Sequence, residues 1–134
     1  MITNAVNIAA ELVGTAIEVI LTGGTLRENS FLLVGPLVEE TLRRLSADIL
    51  FLGVDGFDVH VGATTPDLLE AHVNQAMVEI SRRAVVVCDS NKFGRRSLPQ
   101  ITKPSNIHHI LTDCKIPKAD FKELTEAGTK VIIE

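Results

Sequence analysis

Short apolar runs rich in β-branched residues alternate along the chain with stretches whose apolar residues recur at helical spacing. The runs are Ile17 to Leu21, Ile49 to Gly53, Ala84 to Cys88, His109 to Thr112 and Lys130 to Ile133, with Phe31 to Val34 as a further extended segment. Continuous apolar runs of this length read as strands buried on both sides, which is the condition of a parallel sheet. Parallel neighbours need long crossovers, and the helical stretches between the runs supply them. The pattern therefore predicts an α/β fold, a parallel-sheet sandwich with helices on both faces, built from four or five strands and four helices. A chain of 134 residues with 46% hydrophobic residues is the size of one domain and can build one core. No repeat, low-complexity tract or long linker divides it.

The helix boundaries have local signals. Asn4 can cap a helix running to about Val13, with Ala5, Ile8 and Leu12 on one face. Gly35-Pro36 opens a second helix, in which Val38, Leu42 and Leu45 form the buried stripe and Glu39/Arg43 and Glu40/Arg44 pair on the wet side. Thr65-Pro66-Asp67 starts a third, with Leu69, Val73, Ala76 and Ile80 as its stripe to about Arg83. The fourth spans Lys118 to Ala127 and is closed by Gly128.

Charge and composition exclude several functions. The net charge is −4, and a protein that neutralises nucleic-acid phosphates shows a basic face or stripe, so the chain alone is not expected to read DNA. No apolar stretch approaches the roughly 20 residues of a membrane span, and Met1-Ile2-Thr3-Asn4 lacks the basic start of a signal peptide. A cytoplasmic location without membrane contact is the expectation. Cys88 and Cys114 lack metal-site spacing and read as reduced, structural thiols. His72, His108 and His109 suit surface or packing roles, and no metal or cofactor is expected. Ser90 has no histidine and acid partner at a recognisable spacing, which argues against a serine nucleophile.

Ligands of open α/β sheets collect outside the carboxyl ends of the strands. Polar turns fall there in this sequence: Gly23-Gly24-Thr25, Asp55-Gly56-Phe57-Asp58 and Asp89-Ser90-Asn91-Lys92. Asp55 and Asp58 can accept hydroxyl hydrogen bonds, Lys92 can pair with an anion, and amides at Gly62 to Thr65, including Thr64 and Thr65, are expected to be free at a helix start. His60 is a secondary ligand candidate, and Arg95-Arg96 reads as a solvated pair. Each turn alone reads more readily as an ordinary turn, and Thr65 as an ordinary cap. Together their chemistry is that of a site for a sugar phosphate.

Several ordered segments carry a resemblance. Ser30-Phe31-Leu32-Leu33-Val34-Gly35-Pro36, Ala47-Asp48 leading to Phe51-Leu52-Gly53-Val54-Asp55-Gly56-Phe57-Asp58, Gly62-Ala63-Thr64-Thr65 and Asp89-Ser90-Asn91-Lys92-Phe93-Gly94 resemble the carboxy-terminal effector-sensing domain of DeoR-family transcriptional repressors. The segment Gly23-Gly24-Thr25-Leu26-Arg27-Glu28-Asn29-Ser30 is most similar to regulators of N-acetylgalactosamine and galactosamine catabolism. The resemblance implies the fold shared by ribose-5-phosphate isomerase, glucosamine-6-phosphate deaminase and CoA transferases. It also implies a homo-oligomer with a phosphorylated sugar effector, galactosamine 6-phosphate or N-acetylgalactosamine 6-phosphate. The implied ligand-facing residues are Asn4, Gly23 and Gly24 in the first part of the chain, Asp55, Gly56 and Asp58, then Thr64, Thr65 and Glu70, and finally Asp89 and Lys92.

The resemblance also has departures. The family's sensor domain begins with a further strand and a Gly-Thr-Thr turn upstream of Thr3-Asn4, so residues 1–134 are expected to be an amino-terminally truncated sensor. DNA contact is expected only through a helix-turn-helix domain that precedes it. The alternative is a sugar-phosphate isomerase or deaminase-like enzyme with Glu70 as its base. The related isomerases carry a Lys-Gly-Gly-Gly stretch before the equivalent helix, whereas this chain has Val61-Gly62-Ala63-Thr64-Thr65, which favours sensing over catalysis.

Overall fold

The computed structural model describes residues 1–134. Its centre is a four-stranded parallel sheet of β5 (Ala47–Gly53), β8 (Ser81–Val87), β10 (His109–Thr112) and β11 (Lys130–Ile133), in the spatial order β11-β10-β8-β5. The register aligns Leu52 with Val86, Val86 with Ile110, and Ile110 with Val131 across the sheet. Because side chains alternate between faces, Leu52, Ala84, Val86 and Ile110 share one face, and all four are buried.

Spatial order that follows chain order has a consequence. Right-handed crossovers that always step in one direction place every connection on the same face of the sheet. The buried cluster shows this: Phe57 of β6 (Gly56–Asp58), Ala63 of β7 (Gly62–Thr64), Ile101 of β9 (Gln100–Thr102) and Leu124 of α4 (Lys118–Glu126) all pack with Leu52, Val86 and Ile110. On the opposite face Ile49 is 48% exposed, Phe51 70% and Val87 38%. The expected cover of helices on both faces is corrected: these four strands are covered on one face.

A second, smaller core joins α2 (Pro36–Arg43) to α3 (Leu68–Ile80) through Val38, Leu42, Val73 and Ala76, with Val34 of β4 (Leu32–Val34). The pairs Glu39–Arg43 and Glu40–Arg44 form as their spacing predicts, at 3.7 and 3.1 Å. Leu45 lies beyond the helix and is half-buried, because α2 ends at Arg43. In α3 the stripe is Ala71, Val73 and Ala76, while Leu69 stays 44% exposed. That helix stops at Ile80 rather than Arg83, since β8 starts at once with Ser81, whose hydroxyl donates to the Met77 carbonyl at 2.7 Å.

The first part of the chain differs most from expectation. β1 (Ile2–Thr3) and β2 (Ile20–Leu21) form a separate two-stranded parallel sheet, and α1 (Val6–Glu11) between them buries no residue. The anticipated strand Ile17 to Leu21 shortens to two exposed residues. Asn4 is not the cap of α1, which Ala5 occupies; its buried side-chain amide donates instead to the Leu33 carbonyl at 2.9 Å, tying β1 to β4. β4 also pairs with β3 (Thr25–Arg27) in an antiparallel hairpin.

Candidate functional site

The segment after β5 is not a loose turn. β6 and β7 pair antiparallel, and β7 pairs in turn with β9, so Gly56 to Thr64 forms a three-residue-strand hairpin stitched to the segment around Ile101. Asp55 leaves β5 exposed, and its carboxylate accepts from the Thr65 hydroxyl at 2.7 Å. Thr64 is fully buried; its hydroxyl donates to the Gly56 carbonyl at 3.4 Å and accepts from the Ser97 amide at 3.0 Å. The Thr65 amide donates to the Pro99 carbonyl. The expected row of free amides is therefore corrected: Gly62–Thr64 is a strand, and the helix begins after Asp67, whose side chain caps the Glu70 amide at 3.0 Å. Gly56 is glycine because a Cβ would lie 2.5 Å from the Arg95 carbonyl oxygen and 2.7 Å from the Thr64 hydroxyl.

Asp58 is buried and fully engaged. It accepts from the amides of His60 at 2.8 Å and Val61 at 3.0 Å, and from Arg96 Nε at 2.7 Å. Burial alone would raise its pKa, but Arg96 and the two amides outweigh it and hold the carboxyl below its ordinary value. Its geometry is that of a loop organiser, and Arg96, read from sequence as solvated, is its clamp.

The turn after β8 is a short 3-10 helix, Ser90–Lys92, capped by Asp89, which accepts from the Asn91 amide at 2.9 Å. Asp113, at the end of β10, holds it from the side: it accepts from the Ser90 amide at 2.7 Å and the Lys115 amide at 2.8 Å, and these bonds pull its pKa down. Sequence reasoning missed Asp113, although an acid directly after an apolar strand was the available signal. The two turns are locked together by the Phe57 and Phe93 rings, edge to face at 5.5 Å, and by the Gly94 amide donating to the Phe57 carbonyl at 2.8 Å. Lys92, half-buried beside them, is a member of no ion pair. The Cys88 thiol is pushed up to about 11, by burial first and then by Asp89, with Lys92 opposing, so these charges surround the end of β8.

The remaining candidates connect through Arg27. Gly23 and Gly24 follow β2 with φ of 72° and 110°, and a Cβ on Gly24 would meet Val38 Cγ2 at 2.3 Å, so its lack of a side chain is a packing requirement. Arg27 in β3 pairs with Asp67 and, at 3.2 Å, with Glu70, which also accepts from the Ser30 hydroxyl at 2.8 Å. Glu70, the candidate base, is thus committed to fastening the β3–β4 hairpin to the start of α3. Arg27 was not singled out from sequence, and its partner Asp67 lies 40 positions away. Arg27 with Asp67 ties β3 to the start of α3, and Thr65 with Asp55 ties the residues before that helix to the segment after β5.

No helix is long and apolar enough to cross a membrane. A family model described as DeoR C terminal sensor domain matches residues 1–114. The chain is 40% identical over 131 residues to the HTH-type transcriptional regulator GlpR of Haloferax volcanii, covering 98% of this chain and 51% of that protein. It is 39% identical over 132 residues to a putative aga operon transcriptional repressor of Escherichia coli O157:H7, covering 98% and 49%. The glycerol-3-phosphate regulon repressor of Escherichia coli K12 is 28% identical over 127 residues, covering 94% and 50%. The chain spans about half the length of the curated relatives it matches.

Proposed function

Because this chain belongs to the DeoR C-terminal sensor domain family, we propose that it binds a phosphorylated sugar at the carboxyl ends of β5 and β8 and relays occupancy to a DNA-binding region of a longer repressor. The observation that carries this reading is the pairing of an exposed Asp55 carboxylate with an unpartnered Lys92 on two turns fixed against each other by Phe57 and Phe93. A carboxylate serves sugar hydroxyls and a cation serves the phosphate. Asp58, Thr64, Thr65 and Glu70 hold the geometry rather than touch the ligand. The relatives' names, an aga operon and a glycerol-3-phosphate regulon, support carbohydrate control, and the effector proposed is galactosamine 6-phosphate or its N-acetyl form. The enzyme reading is set aside: the relatives are regulators, and the candidate base Glu70 is engaged by Arg27 and Ser30.

The upstream strand expected from the resemblance also has a natural seat in this proposal. β1 ends one parallel sheet and β5 ends the other, each with an unpaired edge, and Ile49 and Phe51 leave β5's outer face uncovered. A further parallel strand has a free edge to pair with on either sheet. The protein is proposed to act as a homo-oligomer.

The test is a thermal-shift screen of the 134-residue chain and of a form extended upstream, with amino-sugar phosphates and their unphosphorylated parents. Ligand at 100 times its dissociation constant should stabilise the folded chain by about 2.7 kcal/mol. Lys92→Ala should weaken binding by roughly 1.5–3 kcal/mol, whereas Asp55→Asn should change discrimination among sugars more than phosphate affinity. Equal melting temperatures of the extended form with and without both galactosamine phosphates would refute the amino-sugar assignment. If no other sugar phosphate shifts it, sensing itself is refuted.

A further inference from the structure

The end of the sheet opposite the Asp55 and Lys92 turns holds a cleft of about 820 Å³ that the sensing site does not use. It lies between the amino ends of β10 and β11, the 3-10 turn at Pro104–Asn106 and the last turns of α4. Its volume is in the range of small-ligand sites, roughly 300–1,000 Å³. Its lining mixes apolar surface with polar side chains that include Lys103, Lys130, His108, His109, His60 and Glu123.

A backbone hydrogen bond fixes the ring orientation of one imidazole in this lining. His108 Nδ1 accepts the Ala84 amide at 3.0 Å, so its ring hydrogen sits on Nε2 and His108 is a donor. His109 keeps Nδ1 buried with no hydrogen-bond partner, a cost that intact interiors seldom leave unanswered. Lys103 and Lys130 are exposed and belong to no ion pair. In the same lining His60 Nδ1 is 3.4 Å from Glu123, and Asp120, partly buried on α4, stands near both. Two lysines, an imidazole donor and a carboxylate in one lining are the complement of a phosphate that carries a hydroxyl-bearing carbon chain.

We infer that this cleft is a second binding site, for a small phosphorylated polyol, with Lys103, Lys130 and His108 on the phosphate and Glu123 on hydroxyls. It is separate from the Asp55 and Lys92 turns, which stand at the other end of the strands, so the two sites stand or fall separately.

The probe is inorganic phosphate, titrated into isotope-labelled chain while backbone and imidazole resonances are followed. Saturable shifts are expected at His108, His109, Gly128 and Lys130 in the wild-type chain and in Lys92→Ala alike. The double variant Lys103→Gln/Lys130→Gln, whose exposed positions leave the core untouched, should weaken binding there by about tenfold or more, and its melting temperature verifies that it is folded. Absence of shifts at these residues up to roughly 10 mM phosphate overturns the inference. So does binding that Lys92→Ala abolishes while the double variant retains it, because the phosphate then belongs to the sensing site. Glycerol 3-phosphate binding more tightly than inorganic phosphate, with the gain lost in Glu123→Gln, is the expected sign of the hydroxyl-facing wall; equal affinity in the wild type rejects that assignment.

Discussion

Replacing Phe57 with alanine tests the joint between the core and the two ligand-facing turns. Phe57 is fully buried, packs with Leu52, Val86 and Ile110, and meets Phe93 edge to face at 5.5 Å. Truncating a buried phenylalanine costs roughly 3–5 kcal/mol, combining lost transfer energy with the cavity left behind. For 134 residues the unfolding entropy near the midpoint is roughly 0.28 kcal/mol per degree, so the melting temperature should fall by about 11–18 °C. Phe57→Leu keeps most of the volume and loses the ring pair, so its loss should be clearly smaller. Thermal unfolding followed by far-ultraviolet circular dichroism measures both. Because Phe93 adjoins Lys92, ligand affinity measured well below the melting point should also drop in Phe57→Ala. A fall of less than about 4 °C, corresponding to roughly 1 kcal/mol, would refute the claim that this ring unites the core with the turns.

Other expectations follow from single features. Gly62→Ala should destabilise more than Gly94→Ala in matched melts: both have positive φ, but a Cβ at Gly62 would lie 2.1 Å from the Thr102 carbonyl oxygen while Gly94 faces open space, and equal losses would contradict this. The strain shared by both is about 1–2 kcal/mol, and only Gly62 adds the clash. Asp58 and Asp113 have lowered pKa values, so the stability they give is present above the ordinary 3.8 and lost as pH falls through their lower folded values. Asp120, raised chiefly by partial burial, works in the opposite direction, and Asp58→Asn should flatten the acid limb of the stability curve. An unchanged acid limb in that variant would remove Asp58 from the account. The 134-residue chain should self-associate through the uncovered Ile49, Phe51 and Val87 face, and Phe51→Lys should shift it toward monomer in sedimentation; a wild-type monomer at micromolar concentration would refute this.

The parallel strands were legible because each is a dense apolar run, and β8, β10 and β11 fall close to where periodicity puts them. The short antiparallel pieces were not: β6 and β7 are three residues each and read locally as a turn, and β7's other neighbour, Thr102 of β9, is about forty residues away. The same separation hid the roles of individual polar side chains. Asp58 read as a hydroxyl acceptor until Arg96 was found against it, and Glu70 as a base until Arg27 and Ser30 were found to hold it. Which face of the sheet is covered follows from strand order, and strand order is a property of the assembled fold. Asp55 and Lys92 were legible as candidates because each is a charged residue in a polar turn directly after an apolar strand run.

The central claim is that a sugar phosphate is held between the Asp55 and Lys92 turns, and amide chemical-shift changes on titrating galactosamine 6-phosphate test it most directly, in both the 134-residue chain and the upstream-extended form. The account predicts saturable shifts concentrated at Asp55, Thr65 and Asp89 to Lys92, suppressed in Lys92→Ala. Shifts confined to other parts of the chain, or none in the extended form at millimolar ligand, would contradict it.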